Sequence, residues 1–330
     1  MINKDSILKA HHRIKNFIHQ TPLVTSERLN KLIGHDIVFK AESMQITGAF
    51  KVRGVLNSLL SLEEQGNLPK KIVAYSSGNH AKALAWAGSE FAKISTEIYM
   101  HKSASASKQK SIRELGANLI ITETRIEAEQ KARTLGLDPE NYFMHPSDND
   151  LVIAGAATLT YEALNELKTT PDAIFAACGG GALLSGVYLG TSISGKNCKI
   201  YGAEPAIAND ASTSYKLGRI VGFQESPQTM ADGLRTLKVS ERTFAYLKHL
   251  DGFVEASEEE ILYWSVWLNE LLPVACEPTA ALTMAAAFNW LKKQTTRQKI
   301  LIILSGGNID PEVLSVLKSN PLLDYPPNLS

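Results

Sequence analysis

Apolar residues along this chain alternate between two spacings. Short runs rich in Val, Ile, Ala and aromatic residues read as strands: "DIVFKAE" (36–42), "KIVAY" (71–75), "TEIYM" (96–100), "ANLIIT" (117–122), "DAIFAAC" (172–178), "KIYGAEP" (199–205), "GFVEAS" (252–257) and "KILIILSGG" (299–307). Helical spacing follows each of them, as in "TGAFKVRGVLNSLLSL" (47–62), "AKALAWAGSEF" (81–91), "SASKQKSIRELG" (105–116) and "IEAEQKARTLG" (126–136). Ser257 to Glu260 form a capping box that opens "EEEILYWSVWLNELL". The first twenty residues predict an amphipathic helix with Ile7, Leu8, Ile14, Phe17 and Ile18 on one face, not a signal peptide. Strands alternating with helices predict an α/β fold, a parallel sheet covered on both faces.

Composition changes this picture little. The 330 residues are 44% hydrophobic and 21% charged, values of an ordinary soluble globular chain long enough for two domains. Thirty-four basic residues balance thirty-four acidic ones, so no electrostatic footprint for nucleic acid is visible. Cys178, Cys198 and Cys276 lie far apart, which argues against a disulfide framework or a zinc cluster and fits a reducing cytoplasm. No apolar run approaches the ~18 residues that span a bilayer.

In folds of this class ligands gather at the carboxyl ends of strands, and four strand ends carry unusual sequence. "CGGGA" (178–182) joins an apolar strand to an apolar helix. Gly179, Gly180 and Gly181 allow close backbone approach, and the helix start adds its positive end, so the turn suits a phosphate. A P-loop would need Lys at 187, which is Val187. A dinucleotide fingerprint would need Gly at 184, which is Leu184, so a nicotinamide dehydrogenase is a remote alternative. "SSGNH" (76–80) supplies hydroxyls, an amide and helix N–H groups that suit a carboxylate or simply cap a helix. "EPAIAND" (204–210) and "SGGN" (305–308) end two further strands, and each taken alone reads as an ordinary loop. A lysine, Lys51, stands behind Phe50 at the start of an apolar helix. Lysine is seldom buried, so this one is solvated by default unless other residues give it a task.

A lysine together with a small phosphate site points to a pyridoxal phosphate Schiff base. "TPLVTS" (21–26), "TGAFKVRG" (47–54), "SSGNHAKALA" (76–85), "GGGALLSG" (179–186), "AEP" (203–205), "ADG" (231–233), "CEPTAAL" (276–282) and "LSGGN" (304–308) resemble, in order and spacing, fold-type II pyridoxal phosphate enzymes of the threonine dehydratase and serine racemase branch. The resemblance covers roughly residues 14 to 310. It implies two open, twisted, mostly parallel sheets with helices on both faces and the active site in the cleft between domains. The large domain would hold 1–65 and 148–330, the small domain 66–147. Lys51 would carry the cofactor and move protons at the substrate Cα. Asn79 would bond the ring hydroxyl oxygen. Cys178, Gly179, Gly180, Gly181 and Ala182 would hold the phosphate, Gly233 would line the cofactor, and Ser305 would face the pyridine nitrogen. Ser76, Ser77, Gly78, Asn79 and His80 would take the substrate carboxylate, although His80 read from the residues alone is structural. Ser77 would stand opposite Lys51 as a second catalytic group. Glu204, Asp210 and the Ala208 carbonyl would bind Mg²⁺ or Ca²⁺; without the resemblance, both acids read as loop carboxylates.

Two features depart from the branch. Cys178 stands where it usually has a fourth glycine, and Ala182 where it has a larger apolar residue, which puts the substrate size in question. The short stretch after "SGGNIDPEVL" leaves no room for a regulatory domain, which implies the short catabolic type. The expected activity is a serine/threonine ammonia-lyase. The alternatives are a serine racemase, a threo-3-hydroxyaspartate ammonia-lyase and, remotely, a non-catalytic amino-acid or cofactor-binding protein. Expected partners are a small amino-acid substrate and a second copy of the chain in a homodimer, with no nucleic acid and no membrane.

Overall fold

The apolar runs do form strands. The computed structural model describes residues 2–76 and 78–329. Its strands are β1 (Leu23–Val24), β2 (Asp36–Ala41), β3 (Lys71–Tyr75), β4 (Ser95–His101), β5 (Asn118–Thr122), β6 (Asn141–Phe143), β7 (Ala173–Ala177), β8 (Lys199–Pro205), β9 (Gly252–Ala256) and β10 (Lys299–Leu304). The α-helices are α1 (Lys4–Ile14), α2 (Glu27–Ile33), α3 (Lys51–Glu64), α4 (Asn79–Trp86), α5 (Ala106–Glu114), α6 (Arg125–Leu135), α7 (Asp150–Glu166), α8 (Ala182–Ser194), α9 (Asp210–Leu217), α10 (Glu241–Leu247), α11 (Glu258–Leu271), α12 (Pro278–Leu291) and α13 (Pro311–Lys318).

The strands make two sheets with helices on both faces, an α/β architecture. One has six strands in the order β1-β2-β10-β7-β8-β9, parallel except for β1. The other has four parallel strands in the order β5-β4-β3-β6, all between residues 71 and 143. Central β7 shows why such strands read as unbroken apolar runs. Phe175 belongs to the core under α12, whereas Ile174 and Ala176 belong to the core on the opposite face with Leu184 and Leu301.

Small residues let α3, α7 and α8 pack closely. A Cβ on Gly155 would lie 2.4 Å from the Arg53 carbonyl oxygen, and one on Gly190 would lie 2.6 Å from that of Ala157. This packing seats the N-terminus of α3, and with it Lys51. The N-terminal helix is shorter than its pattern implies. It buries Ile7, Ala10 and Ile14, but it ends at Ile14; Phe17 lies beyond it, exposed, with its ring against Phe91. The apolar stripe marks contact with the core, not helix length. Among the described residues no helix is long and apolar enough to cross a membrane.

Candidate active site

The turn after β7 is built by close approach. Gly181 opens α8 at φ +89°, a left-handed conformation that favours glycine. A Cβ on Gly180 would lie 2.3 Å from Ser147 Oγ, and one on Gly179 would lie 3.1 Å from the Gly233 carbonyl oxygen. Gly179, Gly180 and Gly181 therefore present bare backbone just before Ala182 opens the helix, the chemistry of an anion cradle. Cys178 differs from the expectation in one respect. Its N–H donates to the Ala203 carbonyl at 2.9 Å, completing the β7–β8 ladder, so it is not free for a phosphate. Burial holds its thiol well above the ordinary range.

Lys51 is the first residue of α3, and the Phe50 N–H donates to the Ser305 carbonyl at 3.0 Å. This ties the helix start to the end of β10. The Lys51 ammonium donates to the Pro146 carbonyl at 3.0 Å and lies 4.9 Å from the centre of the Phe50 ring. No acid pairs with it among the described residues. Burial lowers its pKa to about 8, so a substantial fraction is neutral near physiological pH. Ser305 is buried and its hydroxyl has no partner among the described residues. A buried orphan hydroxyl is costly unless a ligand atom meets it. A reactive amine, a bare-backbone cradle and an unfilled hydroxyl fit pyridoxal phosphate.

Asn79 begins α4. Its Nδ2 donates to Glu277 Oε1 at 2.8 Å and its Oδ1 accepts from Asn308 Nδ2 at 2.7 Å. Asn308 also donates to the Thr47 carbonyl at 2.8 Å and accepts from Lys82 at 2.7 Å. The amide plane is thereby fixed, and one Nδ2 hydrogen remains for a ligand. Glu277 is buried, and burial followed by the charge of Asp232 raises its pKa to about 8. Glu277, Asn308, Lys82 and Pro146 were not singled out from sequence. "CEPTAAL", "LSGGN" and "SSGNHAKALA" held the first three, but a motif does not show which side chains meet in the fold. Ser76 accepts from the Gly78 N–H at 3.3 Å. Ser77 lies outside the described residues. The ring of His80 is buried against the Met144 carbonyl at 3.0 Å, and burial lowers its pKa to about 3, which fits the structural reading better than contact with a substrate.

The acids after β8 are also placed by backbone. Glu204 accepts from the Ala211 N–H at 3.2 Å and the Ser212 N–H at 2.6 Å, capping α9; Asp210 accepts from the Val239 N–H at 3.0 Å. Burial raises both, Glu204 well above its usual range with Asp210 adding to the rise, and Asp210 to about 7. Neither has a lysine or arginine partner among the described residues. Two buried carboxylates beside buried Ala208 fit a hard divalent cation.

Residues 14–306 match the family model described as "Pyridoxal-phosphate dependent enzyme", and the chain belongs to that family. Its relatives carry more than one activity. The chain is 37% identical over 318 residues to the L-threo-3-hydroxyaspartate ammonia-lyase of Saccharomyces cerevisiae, covering 95% of each chain. It is 36% identical to the serine racemase of Dictyostelium discoideum, covering 94% of this chain and 95% of the other. Among solved structures, the threonine deaminase of T.th. superposes with a TM-score of 0.87 at 35% identity, over 94% of this chain and 99% of that one. Maize serine racemase superposes with a TM-score of 0.88 at 32% identity, over 95% of each.

Proposed function

We propose that this chain is an ammonia-lyase that converts a β-hydroxy amino acid of the serine and threonine type to a 2-oxo acid and ammonia. The unpartnered hydroxyl of buried Ser305 carries the reading. A serine facing the pyridine nitrogen cannot hold it protonated as an aspartate would, and the milder electron sink favours loss of a β-hydroxyl over transamination. Pyridoxal phosphate, when bound, supplies that sink for electrons leaving the substrate Cα. Lys51 would hold the cofactor, Gly179 to Ala182 would take its phosphate, and Asn79 its ring oxygen, with Gly233 alongside. Neutral Lys51 would remove the Cα proton, that proton would pass to the Cβ hydroxyl so that it leaves as water, and hydrolysis of the released enamine would consume water and yield ammonia. The segments 1–65 with 148–330 and 66–147 would be the two domains that meet at this site, and a homodimer is the proposed assembly.

A serine racemase is the second reading, supported by the relatives that bear that name. Racemisation needs a proton group on each face of Cα, and Lys51 serves one. By the resemblance to the racemase branch, Ser77 would serve the other. Ser77→Ala is expected to abolish interconversion of L- and D-serine while L-serine elimination persists at a reduced rate, measured by chiral chromatography and ammonia release. Unchanged interconversion would remove Ser77 from this role.

Glu204, Asp210 and the Ala208 carbonyl would hold Mg²⁺ or Ca²⁺. A cation at 100 times its Kd stabilises the native state by about 2.7 kcal/mol. Melting temperature should rise by several degrees with added cation in the wild type and much less in Asp210→Ala. Equal responses would argue against the site.

A further inference from the structure

A second group of charges joins a helix that follows the four-stranded sheet to a segment between strands of the six-stranded sheet. Lys108, in the first turn of α5, pairs with Asp232 on the segment after α9. Arg125, the first residue of α6, lies within electrostatic reach of both Asp232 and Arg235. This is not a remote surface. Asp232 precedes Gly233, whose carbonyl faces Gly179, and its charge acts on Glu277, the partner of Asn79. The end of β5, which leads into Arg125, lies two strands from the end of β3, which leads into Asn79. At ~4.8 Å per strand that is about 10 Å, a span that an arginine side chain and a small diacid cross together.

The charges do not balance. Lys108, Arg125 and Arg235 meet Asp232; the second carboxyl group in reach, Glu277, also feels Lys108, but burial raises its pKa to about 8, so it adds little negative charge near neutral pH. Arg235 Nε is engaged with the Thr229 carbonyl at 2.8 Å. Arg125 is half-buried, yet its guanidinium makes no hydrogen bond or ion pair among the described residues. The acids flanking it in sequence are taken elsewhere, Glu123 by Lys102 and Glu127 by Lys131. Burial, and then repulsion from Arg235, lower the Arg125 pKa against the pull of Asp232. Five planar donors with no acceptor, beside like charge, suit an incoming carboxylate.

We infer that Lys108, Arg125 and Arg235 form a subsite for a second carboxylate on the substrate, and that Arg125 determines specificity for β-hydroxy amino acids bearing an acid on Cβ. This rests on the ammonia-lyase chemistry proposed above and extends its substrate class to a β-hydroxy diacid. Two measurements on the holoenzyme test it, with the melting temperature and cofactor absorbance of each variant checked first. The first is kcat/KM for ammonia release from 3-hydroxyaspartate and from L-serine in the wild type, Arg125→Ala and Arg125→Lys. The ratio of the two should fall by about ten- to a hundredfold in Arg125→Ala, the value of a charged hydrogen-bond pair, and recover in part in Arg125→Lys. The second is calorimetric binding of L-aspartate, which has no hydroxyl to lose, against L-alanine. Aspartate should bind the wild type more tightly, and that preference should shrink with the loss of Arg125. A ratio unchanged within about twofold, or an aspartate preference that survives Arg125→Ala, overturns the inference. If the wild type turns over neither amino acid, the lyase reading fails and the calorimetry alone decides the subsite.

Discussion

Lys51→Ala is expected to lose at least about 10³-fold in ammonia release, because one side chain both holds the cofactor and moves the Cα proton. The variant should also be colourless as isolated, while the wild type is yellow. Its fold should survive: truncating Lys51 removes one bond to the Pro146 carbonyl and the contact over Phe50, and leaves no buried charge behind. Ammonia release, absorbance and the melting curve together separate this outcome from simple unfolding. A variant that retained a tenth of wild-type activity would show that another base acts at Cα. Because burial lowers the Lys51 pKa to about 8, cofactor uptake by the apo-protein should quicken as pH rises toward 8 and level off above it, as the amine becomes fully neutral.

The largest effect on stability is expected two residues further along the same helix. Arg53 is fully buried and binds Glu42 through Nε and Nη2 at 2.7 and 2.9 Å, and Glu162 through Nη1 and Nη2 at 2.8 Å each. Thr158 accepts from Nη1 at 3.1 Å, and buried Lys40 reaches Glu162 at 3.2 Å. Two cations and two carboxylates thus balance inside the protein. Arg53→Met fits the volume but leaves buried Glu42 with no cation, only the Thr21 hydroxyl at 2.5 Å, and leaves Glu162 to Lys40 and the His11 ring. Removing one partner of a buried pair costs about 3–5 kcal/mol, a large share of the ~5–15 kcal/mol that holds a typical domain. Denaturant titration of the purified protein measures this. A loss under about 1 kcal/mol would mean that Glu42 takes up a proton, or water reaches it, without strain. The same network anchors the first turn of α3, so the variant should also bind cofactor less firmly.

Much of this was legible in the letters. Strands buried on both faces leave unbroken apolar runs, which is why β3 and β8 were bounded correctly and the other long strands to within a few residues. β1 and β6, two and three residues long, have no period to detect. α7 escaped notice for the opposite reason. It is buried nearly all round, so small and apolar residues replace the amphipathic stripe. Lys51 stands at a helix start as expected, but that helix begins at Lys51 itself, because Thr47 to Phe50 form turns tied to the end of β10. The contacts between distant parts of the chain were not legible. Asn79 and Glu277 are 198 positions apart, and Lys108 and Asp232 are 124 apart. Nothing local marks such pairs. Only the packing of segments that follow strands of one sheet against segments of the other brings them together. Cys178 shows the same limit from the other side: a backbone N–H offered by position in a motif is taken by the neighbouring strand.

The central claim is that Lys51 carries pyridoxal phosphate. Reduction of the isolated protein with borohydride, digestion and mass spectrometry of the peptides tests it most directly. A phosphopyridoxyl mass on the peptide containing Lys51, and on no other, is the predicted result. A label on a different lysine, or a protein that takes up no cofactor and yields no labelled peptide, would contradict it.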